Sequence, residues 1–70
     1  MRRIPPDFHR ALQEHVLDVF FAECAYVHRA GYLSWIAEAK SPATRLRKIN
    51  QSISRLRVQQ AELARAAARS

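Results

Sequence analysis

The segment from Pro42 to the C-terminus constrains the fold most, because it contains no glycine and no further proline. Its apolar residues recur at intervals of 3, 4, 3 and 7, which is the spacing of one helical face. These residues are Leu46, Ile49, Ile53, Leu56 and Leu63. One helix over residues 42–69 spans about 42 Å, whereas a compact domain of this chain length is roughly 28 Å across. The sequence therefore predicts a single domain over residues 1–70 with a core of about residues 5–58, and a helix end, residues 59–70, that protrudes or frays.

Three shorter helical patterns precede this segment. The apolar spacing predicts a first helix over roughly residues 6–14 and a second around residues 17–24, although one bent helix explains the same spacing. A third pattern covers about residues 26–40. Strong helix formers dominate the composition, and no run of residues alternates between apolar and polar as a strand would. The predicted fold is all-α: a small bundle of three to four helices, with two short N-terminal helices, a buried central helix and a long basic C-terminal helix.

The third pattern is apolar on two sides, which predicts the central and most buried helix. One side carries Val27, Ala30, Leu33 and Ala37, and the other carries His28, Tyr32, Trp35, Ile36 and Ala39. His28 is expected to be a half-buried, hydrogen-bonded residue. Gly31 indicates either close packing against a neighbour or a tolerated defect that costs about 1 kcal/mol relative to alanine.

The stretch KSPATRLRKIN, residues 40–50, joins the third and fourth helices. Ser41 followed by Pro42 is typical of an N-cap and the first helical position. Lys40 is expected in the last turn of the third helix, where a cation complements the helix dipole. These three residues therefore predict a tight corner between two helices.

The positive charge of the chain is confined to its C-terminal part. Residues 1–40 contain five cations and five anions, so the whole net charge of +6 lies on residues 41–70. On a helical wheel Arg47, Lys48, Arg55, Arg65 and Arg69 lie opposite the apolar stripe. Arg45 lies at the edge of the stripe, where its stem is expected to cover a buried Trp35. The basic arc is either a solvated face or a surface for an anionic partner.

The stretch from Tyr32 to Ile49 also carries a recognisable pattern. Its members are Tyr32, Trp35, Ile36, Ala39, Lys40, Thr44, Arg45 and Ile49, with Lys48 where arginine is usual. Together with the upstream Pro6, Asp7 and Phe8, this pattern resembles the bacteriocin-protection, YdeI/OmpD-associated family over roughly residues 5–57. The resemblance implies a small helical module associated with resistance to bacteriocins or antimicrobial peptides. The partner surface that it implies consists of Tyr32, Trp35, Lys40, Thr44, Arg45, Arg47 and Lys48.

Other classes of site find little support in the sequence. His9 and His15 are six residues apart and do not share a helical face, so no metal site is predicted. No glycine-rich loop or nucleophile elbow is present, so neither an enzyme nor a bound cofactor is predicted. Cys24 lies in an apolar run and is expected to be a buried small hydrophobe. The chain has no segment of 18 to 20 apolar residues, so a membrane span is not predicted and the cytoplasm is the expected location.

Two functions remain open on the sequence alone. The first is a non-enzymatic protein-interaction module, with another protein as partner or with self-association through the C-terminal helix. The second is a nucleic-acid-binding module that uses Arg47, Lys48, Arg55 and Arg57. Binding to phosphates would weaken steeply with salt, whereas binding in a mixed apolar groove would not.

Overall fold

The computed structural model describes residues 4–69, which leaves residues 1–3 and 70 outside the description. It contains α1 (Pro6–Glu14), α2 (Asp18–Glu23), α3 (Tyr26–Ala37) and α4 (Pro42–Arg69). No strand occurs within the described range. The predicted all-α bundle with a long C-terminal helix is therefore confirmed, and the two N-terminal patterns form two helices and not one bent helix.

The corner between α1 and α2 is a Schellman motif built on a valine. Val16 has a positive φ of 56°, and its N–H donates to the carbonyl of Gln13 at 3.1 Å. The N–H of Leu17 donates to the carbonyl of Leu12 at 2.7 Å, and both leucine side chains are fully buried. This hydrogen-bond pair and the contact between flanking apolar residues define the motif, which usually has glycine at its left-handed position. A sequence pattern without glycine therefore gave no sign of this corner.

The core lies between α4 and the three shorter helices. α4 contacts α1 and α3, and α1 contacts α2. The rings of Phe8 and Phe21 meet edge to face with their centroids 5.2 Å apart. The buried hydrophobic residues are Phe8, Leu12, Leu17, Phe21, Leu33, Ile36, Ile49, Ile53 and Leu56. All four helices or their connections thus contribute to one cluster, as a chain of this size requires.

α3 has the largest share of buried or half-buried residues among the four helices, as predicted, but these residues form one stripe and not two separate apolar sides. Only Leu33 and Ile36 are buried, while Val27 is 76% exposed and His28 is also exposed. The core contacts of α3 therefore form a single stripe. A Cβ added to Gly31 would meet no atom within 4 Å, so close packing does not explain this glycine.

The corner between α3 and α4 forms as predicted at its N-cap but not at Lys40. The N–H of Thr44 donates to Ser41 Oγ at 3.2 Å, and Ser41 Oγ donates to Thr44 Oγ1 at 3.0 Å. Ser41 therefore satisfies an orphan backbone donor in the first turn of α4. α3 ends at Ala37, three residues before Lys40, so Lys40 does not lie in its last turn.

The buried stripe of α4 differs from the predicted one at three positions. Leu46 and Leu63 are 60% and 56% exposed, whereas Ser52 is fully buried. The Ser52 hydroxyl donates to the carbonyl of Lys48 one turn earlier at 2.8 Å. This bond to its own helix lets a small polar side chain occupy the core, because its donor does not remain unsatisfied.

The length of α4 determines the shape of the molecule. Its 28 residues span about 42 Å, and the molecule measures 43 × 24 × 17 Å. Every residue from 60 to 69 is exposed. The limits of the core, residues 5–58, nevertheless stay a prediction. Across residues 4–69 we find no helix with the length and apolar character needed to cross a membrane.

Candidate functional site

Next to the α3–α4 corner, Arg45 of α4 forms an ion pair with Asp7 of α1. Arg45 Nε and Nη2 donate to the Asp7 carboxylate at 2.5 and 3.0 Å, so the pair is bidentate. The hydrogen bond from Arg45 is the main reason why the pKa of Asp7 lies below its ordinary value, and the N–H of Phe8 adds to it at 2.9 Å. Burial acts in the opposite direction on the pKa of Asp7. Arg45 therefore fastens α4 to the N-terminus of α1.

This ion pair predicts a loss of stability in acid. The pKa of Asp7 is lowered in the folded state, so the pair stabilises the fold above the ordinary aspartate pKa of about 3.9, and this contribution disappears as the pH falls through the folded value. The side chains are 32% and 47% exposed, so solvent screens the pair and Arg45→Gln should cost only about 0.5–1 kcal/mol at pH 7. Urea denaturation at pH 7 and pH 2 should show that this difference vanishes in acid. An equal cost at both pH values would contradict it, and Arg57→Gln is the matched control.

Lys48, and not Arg45, covers Trp35. Lys48 Nζ donates to the Trp35 carbonyl at 3.0 Å and lies 5.2 Å from the centroid of the Trp35 ring. The carbonyl belongs to the last turn of α3, where a cation is favourable. Trp35 is half-buried at the edge of the core and is not its main residue, which corrects the expected arrangement under the Arg45 stem.

The other residues implied as a partner surface divide into two groups. Tyr32 packs its ring against Phe21 with centroids 6.1 Å apart, and burial raises the pKa of its hydroxyl. Thr44 is bonded to the Ser41 cap. Lys40 and Arg47 are exposed. Much of the recognised pattern therefore makes contacts that join the four helices, and only part of it faces solvent.

An open groove runs along the first half of α4 beside Trp35. Its volume is about 820 Å³. The lining combines an aromatic ring, an exposed leucine, two arginines, two amides and a hydroxyl. The lining residues are Trp35, Ala43, Leu46, Arg47, Asn50, Gln51, Ser54 and Arg55. We call this surface the α4 groove.

The four residues considered as nucleic-acid contacts have different surroundings. Arg47 and Arg55 line the α4 groove, whereas Arg57 does not. Lys48 is engaged with the carbonyl and ring of Trp35. The structure thus brings two of the four cations together, in the company of apolar and amide groups.

A known protein family matches most of the chain. The model of the bacteriocin-protection, YdeI or OmpD-associated family matches residues 2–58, which is 57 of the 70 residues. The chain belongs to this family. No curated protein and no solved structure matches it significantly.

The family match separates α4 into two parts. The α3–α4 corner and the α4 groove lie within the matched residues 2–58. The remaining described residues, 59–69, lie beyond the match and continue the same helix. We call residues 59–69 the α4 extension of this family member.

Metal-ligating side chains do not cluster in the described part of the chain. Among residues 4–69 no three histidine, cysteine or acidic side chains lie close enough to share a metal ion. Cys24 is half-buried, whereas the sequence predicted a buried residue, and its thiol donates to the Phe20 carbonyl at 3.4 Å. Burial raises the pKa of Cys24, which favours the neutral and less reactive thiol.

Proposed function

We propose that this family member is a non-enzymatic protein-interaction module of the bacteriocin-protection type. In this proposal the α4 groove binds a segment of another protein that is acidic and partly apolar. The family name supports the biological role, and the composition of the groove supports the chemistry of the partner. The proposal assigns no catalytic residue.

The observation that carries the proposal is that Trp35 and Leu46 line the same open groove as Arg47 and Arg55. Tryptophan and arginine are enriched among the residues that dominate protein–protein binding energy. The aromatic and aliphatic groups can bury apolar side chains of a partner, and the guanidinium groups can pair with carboxylates. An acidic segment with apolar residues at helical spacing matches both halves of this surface.

Two contacts at or beside the groove also support recognition of a protein segment. Lys48 donates a hydrogen bond to the carbonyl of Trp35, and Arg45 pairs with the carboxylate of Asp7. A surface whose walls are already held loses less conformational entropy on binding.

Fluorescence anisotropy can test the partner chemistry directly. The probe is a labelled 16-residue helical peptide with leucine at every third or fourth position and glutamate elsewhere. We expect Arg47→Glu or Arg55→Glu to weaken its binding roughly tenfold, through lost pairing and new repulsion. Arg57→Glu makes the same charge change outside the groove and should have a much smaller effect. Leu46→Ala should also weaken binding, which a purely electrostatic contact does not predict.

Labelled duplex DNA, titrated under the same conditions, distinguishes the alternative. Tight DNA binding that falls steeply with salt, and that Arg57→Glu weakens as much as Arg47→Glu, would overturn the proposal in favour of a nucleic-acid surface. Equal weakening of peptide binding by all three charge reversals would show that the peptide responds only to the overall positive charge of the chain.

The biological role requires a separate test in cells. Expression of the chain in a bacterium sensitive to a pore-forming bacteriocin should raise survival. The double variant Arg47→Glu, Arg55→Glu should remove this protection at equal protein levels, and Arg57→Glu should retain it. Equal survival with and without the chain would contradict the protective role.

A further inference from the structure

The α4 extension is a helical segment that is largely without tertiary cover. α4 continues to Arg69, and each residue from 60 to 69 is exposed. Most helical stability in proteins comes from packing of an apolar face, and a segment of this length alone is marginal in water. A cover for the extension would therefore stabilise it.

The apolar side of the extension continues the core stripe of α4. Leu63 follows the fully buried Leu56 by seven residues, so both side chains lie on the same side of the helix. Leu63 is 56% exposed. It forms one wall of a hollow of about 300 Å³ between α4 and the α2–α3 connection, which is lined by Phe20, Glu23, Cys24, Ala25, His28, Gln59 and Leu63. The stripe thus runs from the core, past this hollow, and out along the extension.

The charges around this stripe favour a second copy in the antiparallel direction. Glu62 is the single anion of residues 41–70, and Arg65 and Arg69 lie on the same extension. An antiparallel pair centred near residue 65 brings Glu62 of each copy within one position of Arg69 of the other. It also brings the last turn of each helix to the hollow of the other copy, where Glu23 adds a second carboxylate. A parallel pair would place like charges together, which is unfavourable.

We propose that the α4 extension forms an antiparallel pair with the extension of a second copy of this chain, in which Leu63 of each copy packs opposite Ala67 of the other. About three turns of helix are available on each copy. The contact area of three turns is less than the roughly 800 Å² per partner of a standard interface. The dimer is therefore expected to be weak and reversible. Each copy carries a net charge of +6, so higher salt strengthens the dimer by screening repulsion.

Sedimentation velocity of the full chain across a wide concentration range tests the proposal. We expect a shift from monomer to dimer with rising concentration, and at least a tenfold loss of affinity in Leu63→Glu. Leu46→Glu is the matched control, because Leu46 is similarly exposed on the same helix but lies in the α4 groove, and it should leave the dimer intact. Far-UV circular dichroism verifies that both variants remain helical.

A charge exchange makes the direction of pairing testable. Glu62→Arg alone and Arg69→Glu alone should each weaken the dimer several-fold, and the double variant should recover most of the affinity. A chain that stays monomeric at all concentrations, or equal effects of Leu63→Glu and Leu46→Glu, would overturn the proposal. A failed dimer leaves peptide binding at the α4 groove unaffected, so the two proposals fail separately.

Discussion

Leu56→Ala should lower the free energy of unfolding by about 3 kcal/mol, whereas Leu46→Ala should change it by less than about 0.5 kcal/mol. The two leucines lie on the same stripe of α4 in the sequence, but Leu56 is fully buried and Leu46 is 60% exposed. Truncation of Leu56 removes apolar contacts and leaves a cavity in the core. Truncation of Leu46 removes surface that remains largely in water.

The size of the chain makes this difference easy to measure. A 70-residue domain has a total stability of roughly 4–10 kcal/mol, so the loss at Leu56 is a large part of it. Urea denaturation followed by circular dichroism at 222 nm should show a much lower midpoint for Leu56→Ala and an almost unchanged one for Leu46→Ala. Equal midpoints for the two variants would show that the position of α4 on the core is wrong.

Val16→Gly should raise the free energy of unfolding by up to about 1 kcal/mol. Val16 has a φ of 56°, and a residue with a branched Cβ costs roughly 1–2 kcal/mol in this conformation. Glycine removes this strain but loses about 0.5–1 kcal/mol through the freedom of the unfolded chain. The side chain is 78% exposed, so its removal sacrifices little packing.

Thermal denaturation should show this gain as an increase of several degrees in Tm. Val16→Asn should be similarly favourable, because asparagine tolerates the left-handed region. Val19→Gly is the control: Val19 is also exposed but lies inside α2, where glycine should lower stability by a few tenths of a kcal/mol. A lower Tm for Val16→Gly would contradict the Schellman geometry of the corner.

Local chemistry in the sequence was sufficient for several elements of the fold. The apolar spacing and Pro6 predicted the bounds of α1, and Ser41 with Pro42 predicted the start of α4. Such signals depend on residues within one or two turns of each other, so the chain alone contains them. The family pattern was likewise recognisable in the sequence, and the family match over residues 2–58 confirms it.

The candidate site was predictable in its residues but not in their contacts. Trp35, Arg47 and Lys48 were all recognised, yet Lys48 is engaged with Trp35 while Arg47 faces the groove. Leu46 was assigned to the core and lines the groove. Which cation meets which ring depends on the crossing of α3 and α4, and helical spacing within one element does not determine that crossing.

The sequence by itself determined the helical class, the length of α4 and the concentration of positive charge on residues 41–70. Periodicity and charge are properties of the chain, and they need no partner in space. Only the tertiary structure decided that Ser52 is buried while Leu63 is exposed. A side chain loses its contact with water only where another helix covers it, and the shorter helices reach only the start of the α4 extension.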